Sequence, residues 1–106
     1  MPVVPLPLAK SCMQLYDTLM KGEDVQKIHK AFTNSVTFQT TELAAWLNEN
    51  RYLENADSIR ICLGIYTPDA ARQLGGAIEE GRITVFICPI KNGEEVDAYN
   101  VGQTSP

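Results

Sequence analysis

Two runs of alternating side chains constrain this chain more than anything else in it. In Ile59-Arg60-Ile61-Cys62-Leu63-Gly64-Ile65-Tyr66 every odd position is aliphatic, while the even positions are mixed. The segment Arg82 to Ile90 repeats the rule, with Ile83, Val85 and Ile87 on one side and Thr84, Phe86 and Cys88 on the other. A period of two is the signature of a β-strand with one face turned inward. A chain holding two such strands must cover a sheet face. The wholly aliphatic odd row is the face expected to receive the helices, which leaves Arg60, Cys62, Tyr66, Phe86 and Cys88 pointing the other way.

The covering elements lie upstream. Leu8, Cys12, Leu15, Tyr16 and Leu19 recur at helical spacing, Pro7 suits a first turn and Gly22 a stop, which predicts a helix over about 7–21. Val25, Ile28 and Phe32 share a stripe in a second, shorter helix, where Glu23 stands four residues before Lys27. Ser35 to Gln39 is β-rich but short, either an edge strand or an extended segment. Thr40 and Thr41 are candidate caps for a third helix carrying Leu43, Leu47 and the only tryptophan, Trp46, a natural core anchor. Tyr52 and Leu53 are expected to pin the following polar connection inward.

Thr67-Pro68-Asp69 reads as a cap and first turn, with Gly75-Gly76 ending the short helix that follows. Asn92-Gly93 is a hairpin dipeptide leading into a more polar strand at 94–99. Helices first and strands later make this an α+β chain: N-terminal helices packed on one face of a small antiparallel sheet of three to four strands. Its 106 residues correspond to one domain. The Pro-rich lead, 1–6, and the tail, 101–106, are expected to be flexible. A strand pairing symmetric about Gly75 would set Cys62 opposite Cys88.

The layout resembles a group of small uncharacterised bacterial α+β proteins. Phe38 with Leu43, Ile59-Arg60-Ile61 with Gly64, Thr84-Val85-Phe86-Ile87, and Asn92-Gly93 carry the likeness over about two-thirds of the chain. The resemblance implies the arrangement of elements and no activity. Members of that group often end in a tail containing proline and cysteine, whereas this chain ends Gln103-Thr104-Ser105-Pro106.

Charge and residue inventory narrow the function classes. Nine basic against thirteen acidic residues, with the basic ones scattered, disfavour nucleic acid, which is normally held by a basic stripe. No run approaches the ~20 apolar residues of a membrane span, and the opening segment lacks the basic start of a signal peptide. Cys12, Cys62 and Cys88 are widely spaced and accompany a single histidine, His29, so neither a disulfide framework nor a metal site is expected. The expected setting is cytoplasmic, and no cofactor is implied. Gly75, Gly76 and Gly81 match no phosphate-binding loop, and the pairs Glu79-Glu80 and Glu94-Glu95 read as solvated turns.

Two readings of function follow. The apolar residues of the even face, Cys62, Phe86, Cys88 and Ile90, either contact a second copy in a two-fold dimer or are covered by the chain's own N-terminal arm or 67–81 segment. In the first case the protein is a non-enzymatic interaction module. In the alternative, Arg60 anchors a small anion or metabolite, with Tyr66, Thr84 and Tyr99 as neighbours and the 67–81 segment as a lid. The bland role for Arg60 is an ion pair with Asp57, Asp97 or Glu95. An enzyme using Cys62 or Cys88 as nucleophile is the third choice.

Overall fold

A computed structural model describes residues 4–22, 24–33, 35–74, 78, 80–100 and 103–105. Glu23, the Gly75-Gly76 stop, Glu79, the extreme start of the lead and residues 101–102 lie outside the described residues, as does the side chain of His29. The chain runs α1 (Leu6–Lys21), α2 (Val25–Ala31), β1 (Ser35–Thr37), α3 (Thr40–Glu49), α4 (Tyr52–Asn55), β2 (Ser58–Ile65), α5 (Pro68–Leu74), β3 (Ile83–Lys91), β4 (Glu94–Glu95) and β5 (Gln103–Ser105). It is an α+β fold with helices packed on an antiparallel three-stranded sheet, ordered β2-β3-β4. A separate pair, β1 with β5, completes the strands.

The two alternating runs are the two long strands, but their inward and outward faces are the reverse of the expectation. Ile59, Ile61 and Leu63 are 43%, 58% and 46% exposed, whereas Phe86 and Cys88 are fully buried. The cause is Gly64. With no side chain there, α1 lies directly on the even face, its Cys12 backbone so near that a Cβ on Gly64 would stand 3.2 Å from the Cys12 carbonyl carbon. Close approach of two backbones outweighs the greater hydrophobicity of the odd row. Val4, Ala9, Cys12, Tyr66, Ala70, Phe86, Cys88 and Ala98 form the main core on this side.

The odd face is covered at Ile65, the last residue of β2 and 1% exposed, and over β3. There Ile87 packs with Trp46 of α3 and with Tyr99, whose backbone bridges to Ile87 in both directions at 2.9 Å. Trp46 stands 4.8 Å from the Tyr99 ring and 5.1 Å from Tyr52, edge-on to the latter. It is the anchor its residue type suggested. Tyr52 is held by its hydroxyl, which donates to Asp97 at 2.6 Å, while Leu53 is 69% exposed and not pinned inward.

Local chemistry explains most element ends. Thr67 accepts from the Ala70 amide at 3.1 Å, capping α5 as its sequence requires. Asn92 and Gly93 both adopt positive φ, 54° and 81°, the conformation that a two-residue hairpin turn needs, and Asp57 accepts from the Asn92 amide at 2.9 Å. At α3 the cap is instead Gln39, without a side-chain bond, because the helix starts at Thr40 and puts both threonines inside its first turn. Arg51, at φ 58°, separates α3 from α4. The polar strand after the hairpin is confined to Glu94–Glu95. Phe32, expected on the α2 stripe, lies beyond the helix and is 54% exposed.

Neither terminus is idle where it is described. Val4 is completely buried and its amide donates to the Ala98 carbonyl at 2.9 Å. Residues 103–105 pair antiparallel with 35–37, so the short β-rich segment after α2 is indeed a strand.

Candidate functional site

The residues singled out in the sequence separate into three places. Tyr66 and Thr84 meet in the core. The Tyr66 hydroxyl donates to Asn100 Oδ1 at 2.6 Å, Asn100 Nδ2 donates to Thr84 Oγ1 at 2.9 Å, and Thr84 donates back to the Tyr66 oxygen at 3.1 Å. This closed ring of donors and acceptors is shut off from solvent, since all three residues are at most 1% exposed. Asn100 Nδ2 also donates to the Val85 carbonyl. Every polar atom of the ring is engaged, and burial raises the Tyr66 hydroxyl pKa. The ring organises the core around Ala98 to Asn100 and offers no free group to a ligand.

Arg60 is elsewhere. It lies six residues from Tyr66 along an extended chain, about 20 Å at the usual rise. Its guanidinium donates to Glu95 Oε1 at 3.0 Å, and the arginine side chain is half exposed. Glu95 is held below the ordinary carboxylate range, chiefly by its own backbone amide and then by Arg60. Of the three carboxylates considered for Arg60, Glu95 is the partner found. An anion at Arg60 would have to compete with it.

Cys62, Phe86, Cys88 and Ile90 share the even face, but α1 and its neighbours cover them: Phe86 and Cys88 are fully buried and Ile90 is 5% exposed. The strand register sets Cys62 opposite Phe86 and Arg60 opposite Cys88, two residues away from the symmetric guess. Cys62 and Cys88 are diagonal neighbours in the β2–β3 register, and both thiols are free. Diagonal Cα atoms stand ~7–8 Å apart, beyond unstrained disulfide reach. Burial raises both pKa values, that of Cys88 to about 12, so the thiols stay protonated at neutral pH and lack the thiolate that nucleophilic or redox chemistry requires. Among the described residues, no group of three or more His, Cys, Asp or Glu is placed to hold a metal ion.

What the sequence pattern passed over is the odd side of β2. Ile59, Ile61 and Leu63 form an aliphatic row open to solvent. Beta2 is also an edge strand among the described residues, since its one partner is β3. Tyr66 N donates inward to the Arg82 carbonyl, and Ile87 N donates away from β2 to Tyr99. Alternation therefore turns the amides of Ile59, Ile61 and Leu63 outward, along the open edge. Beyond the row, Leu63 continues into a shallow cleft with Val36, Ile83 and Val85.

No helix among the described residues is long and apolar enough to cross a membrane. No protein-family model matches this chain, and neither the curated proteins nor the solved structures contain a significant match to it.

Proposed function

We propose that this chain is a protein-interaction module, not a catalyst, and that it acts as a homodimer joined along β2. The observation that carries the reading is the coincidence, on one eight-residue strand, of an open hydrogen-bonding edge and an exposed aliphatic row. A long, regular, apolar edge is a template for another strand unless charge, proline or a bulge blunts it. Beta2 has no proline and no lysine, and its single charge, Arg60, is occupied by Glu95.

A second copy fits this edge better than an unrelated partner because the row is self-complementary. An antiparallel pairing on a two-fold axis at Ile61, the most exposed residue of the row, sets Ile59 against Leu63 of the other copy and Ile61 against its own counterpart. On the opposite face Arg60 then meets Cys62, so no like charges oppose each other. The three free thiols suit a reducing, cytoplasmic setting for such a module.

Sedimentation velocity over a concentration series tests the proposal. The wild type is expected to dimerise by high micromolar concentration, and Ile61→Lys to sediment as a monomer with unchanged circular dichroism and melting temperature. A wild type that stays monomeric throughout, or an Ile61→Lys variant that dimerises as well as the wild type, overturns it.

A further inference from the structure

A different part of the surface holds an apolar cleft. Where the C-terminal half of α1 meets α2, a cleft of about 240 Å³ is lined by Leu15, Leu19, Ile65, Lys27, Lys30 and Gly81. We propose that this cleft binds a small carboxylate carrying a short aliphatic body.

Its floor is Ile65, which is 1% exposed, and its walls are the two leucines and the stems of the lysines. At ~30 Å³ per water the space corresponds to about eight water volumes, enough for a chain of a similar number of heavy atoms. Gly81 keeps one side open: a Cβ built on it meets nothing within 4 Å. Apolar walls alone do not choose a ligand, but the mouth does. Lysine stems lie along apolar surface while the ammonium groups remain in water, so Lys27 and Lys30 place two positive charges at the rim.

The charge is local and against the trend of the molecule. The chain carries a net charge of −4, yet among the described residues no acidic side chain lines this cleft and neither lysine has an ion-pair partner. An apolar slot with a cationic mouth is complementary to an amphipathic anion. A bare phosphate would leave the slot empty, and a neutral hydrocarbon would leave the lysines unused.

Titration of the full ¹⁵N-labelled chain with octanoate, hexanoate and octanol, read by amide shifts, tests the site. Octanoate is expected to give saturable shifts at Leu15, Leu19, Ile65 and Gly81. Each methylene is worth about fourfold in affinity, so hexanoate should bind roughly 15-fold more weakly. Octanol, and octanoate on the Lys27→Gln/Lys30→Gln variant, should each bind at least about tenfold more weakly than octanoate on the wild type. Absence of saturable shifts at these four residues, shifts centred instead on Ile59 to Leu63, or equal affinity for octanol and octanoate overturns the proposal. The octanol comparison uses the unaltered chain and stands whether or not the double variant folds.

Discussion

Gly64 and Phe86 stand side by side on the even face, so close that a Cβ on Gly64 would lie 2.7 Å from Phe86 Cε2. That gap, rather than any large side chain, decides which face of the sheet receives α1. The same hypothetical Cβ meets the Cys12 carbonyl carbon at 3.2 Å, and backbone cannot swing aside as a side chain can. Phe86 is itself fully buried and has no solvent to move into.

Gly64→Ala is therefore expected to destabilise the fold by about 1–3 kcal/mol, the usual cost of forcing extra volume into a packed core. The sign is diagnostic, because removing a glycine from an ordinary strand interior stabilises it. Urea denaturation measures the difference, and a variant as stable as the wild type would mean that α1 does not rest on Gly64.

The Tyr66–Thr84–Asn100 ring gives a second expectation. Asn100→Ala removes the acceptor of the Tyr66 hydroxyl and the donor to Thr84 and to the Val85 carbonyl, leaving buried polar atoms without partners. At ~1–3 kcal/mol for each unsatisfied group, a loss of at least about 2 kcal/mol follows. Tyr66→Phe should cost less, and the two changes together should fall short of their sum by more than about 0.5 kcal/mol, because they disrupt one network. Strict additivity in the double-mutant cycle would show that the ring does not act as a unit.

These two predictions also mark what was legible in the sequence. Alternation identified β2 and β3, Asn92-Gly93 identified their hairpin neighbour, and Thr67-Pro68 identified the start of α5, because each depends on chemistry within a few residues. The choice of inward face depends on what packs from far away in the chain. Hydrophobicity favoured the odd row, and the contrary signal was present in Gly64: a strand glycine marks the close approach of another backbone. Asn100 escaped notice because a polar residue near the end of the chain reads as surface until Tyr66 and Thr84 are known to lie beside it. Lys27 and Lys30 look like an ordinary solvated helix face until Leu15, Leu19 and Ile65 are seen beneath them.

Stability should fall at alkaline pH. Burial raises the pKa values of Cys62, Cys88, Tyr66 and Tyr99, that of Cys88 to about 12, and burial together with the Asp97 bond raises that of Tyr52. A group whose folded pKa is raised contributes stability that is complete below its unfolded pKa and is lost as pH climbs toward the folded value. For the thiols the decline begins near pH ~8.5 and for the tyrosines near pH ~10. Denaturant midpoints measured from pH 7 to 10.5 should therefore drop, and the drop should be shallower in Cys88→Ser, where Cys62 is the one thiol of the pair left to ionise. A thiol reagent at pH 8 should leave Cys88 unmodified in the folded protein and label it after denaturation.

Amide exchange separates the two edges of β2 and bears directly on the dimer. In an isolated copy, the Cys62 and Gly64 amides point toward β3 and should be protected, while those of Ile59, Ile61 and Leu63 point away from it and should exchange quickly. Pairing of β2 with its counterpart through Ile61 would satisfy the outward set and leave the inward set unchanged. Protection of Ile59, Ile61 and Leu63 should thus rise with protein concentration and disappear in Ile61→Lys. A dimer that leaves these three amides unprotected would have to be joined through some other surface, and the edge-pairing geometry would fall even though self-association itself survived.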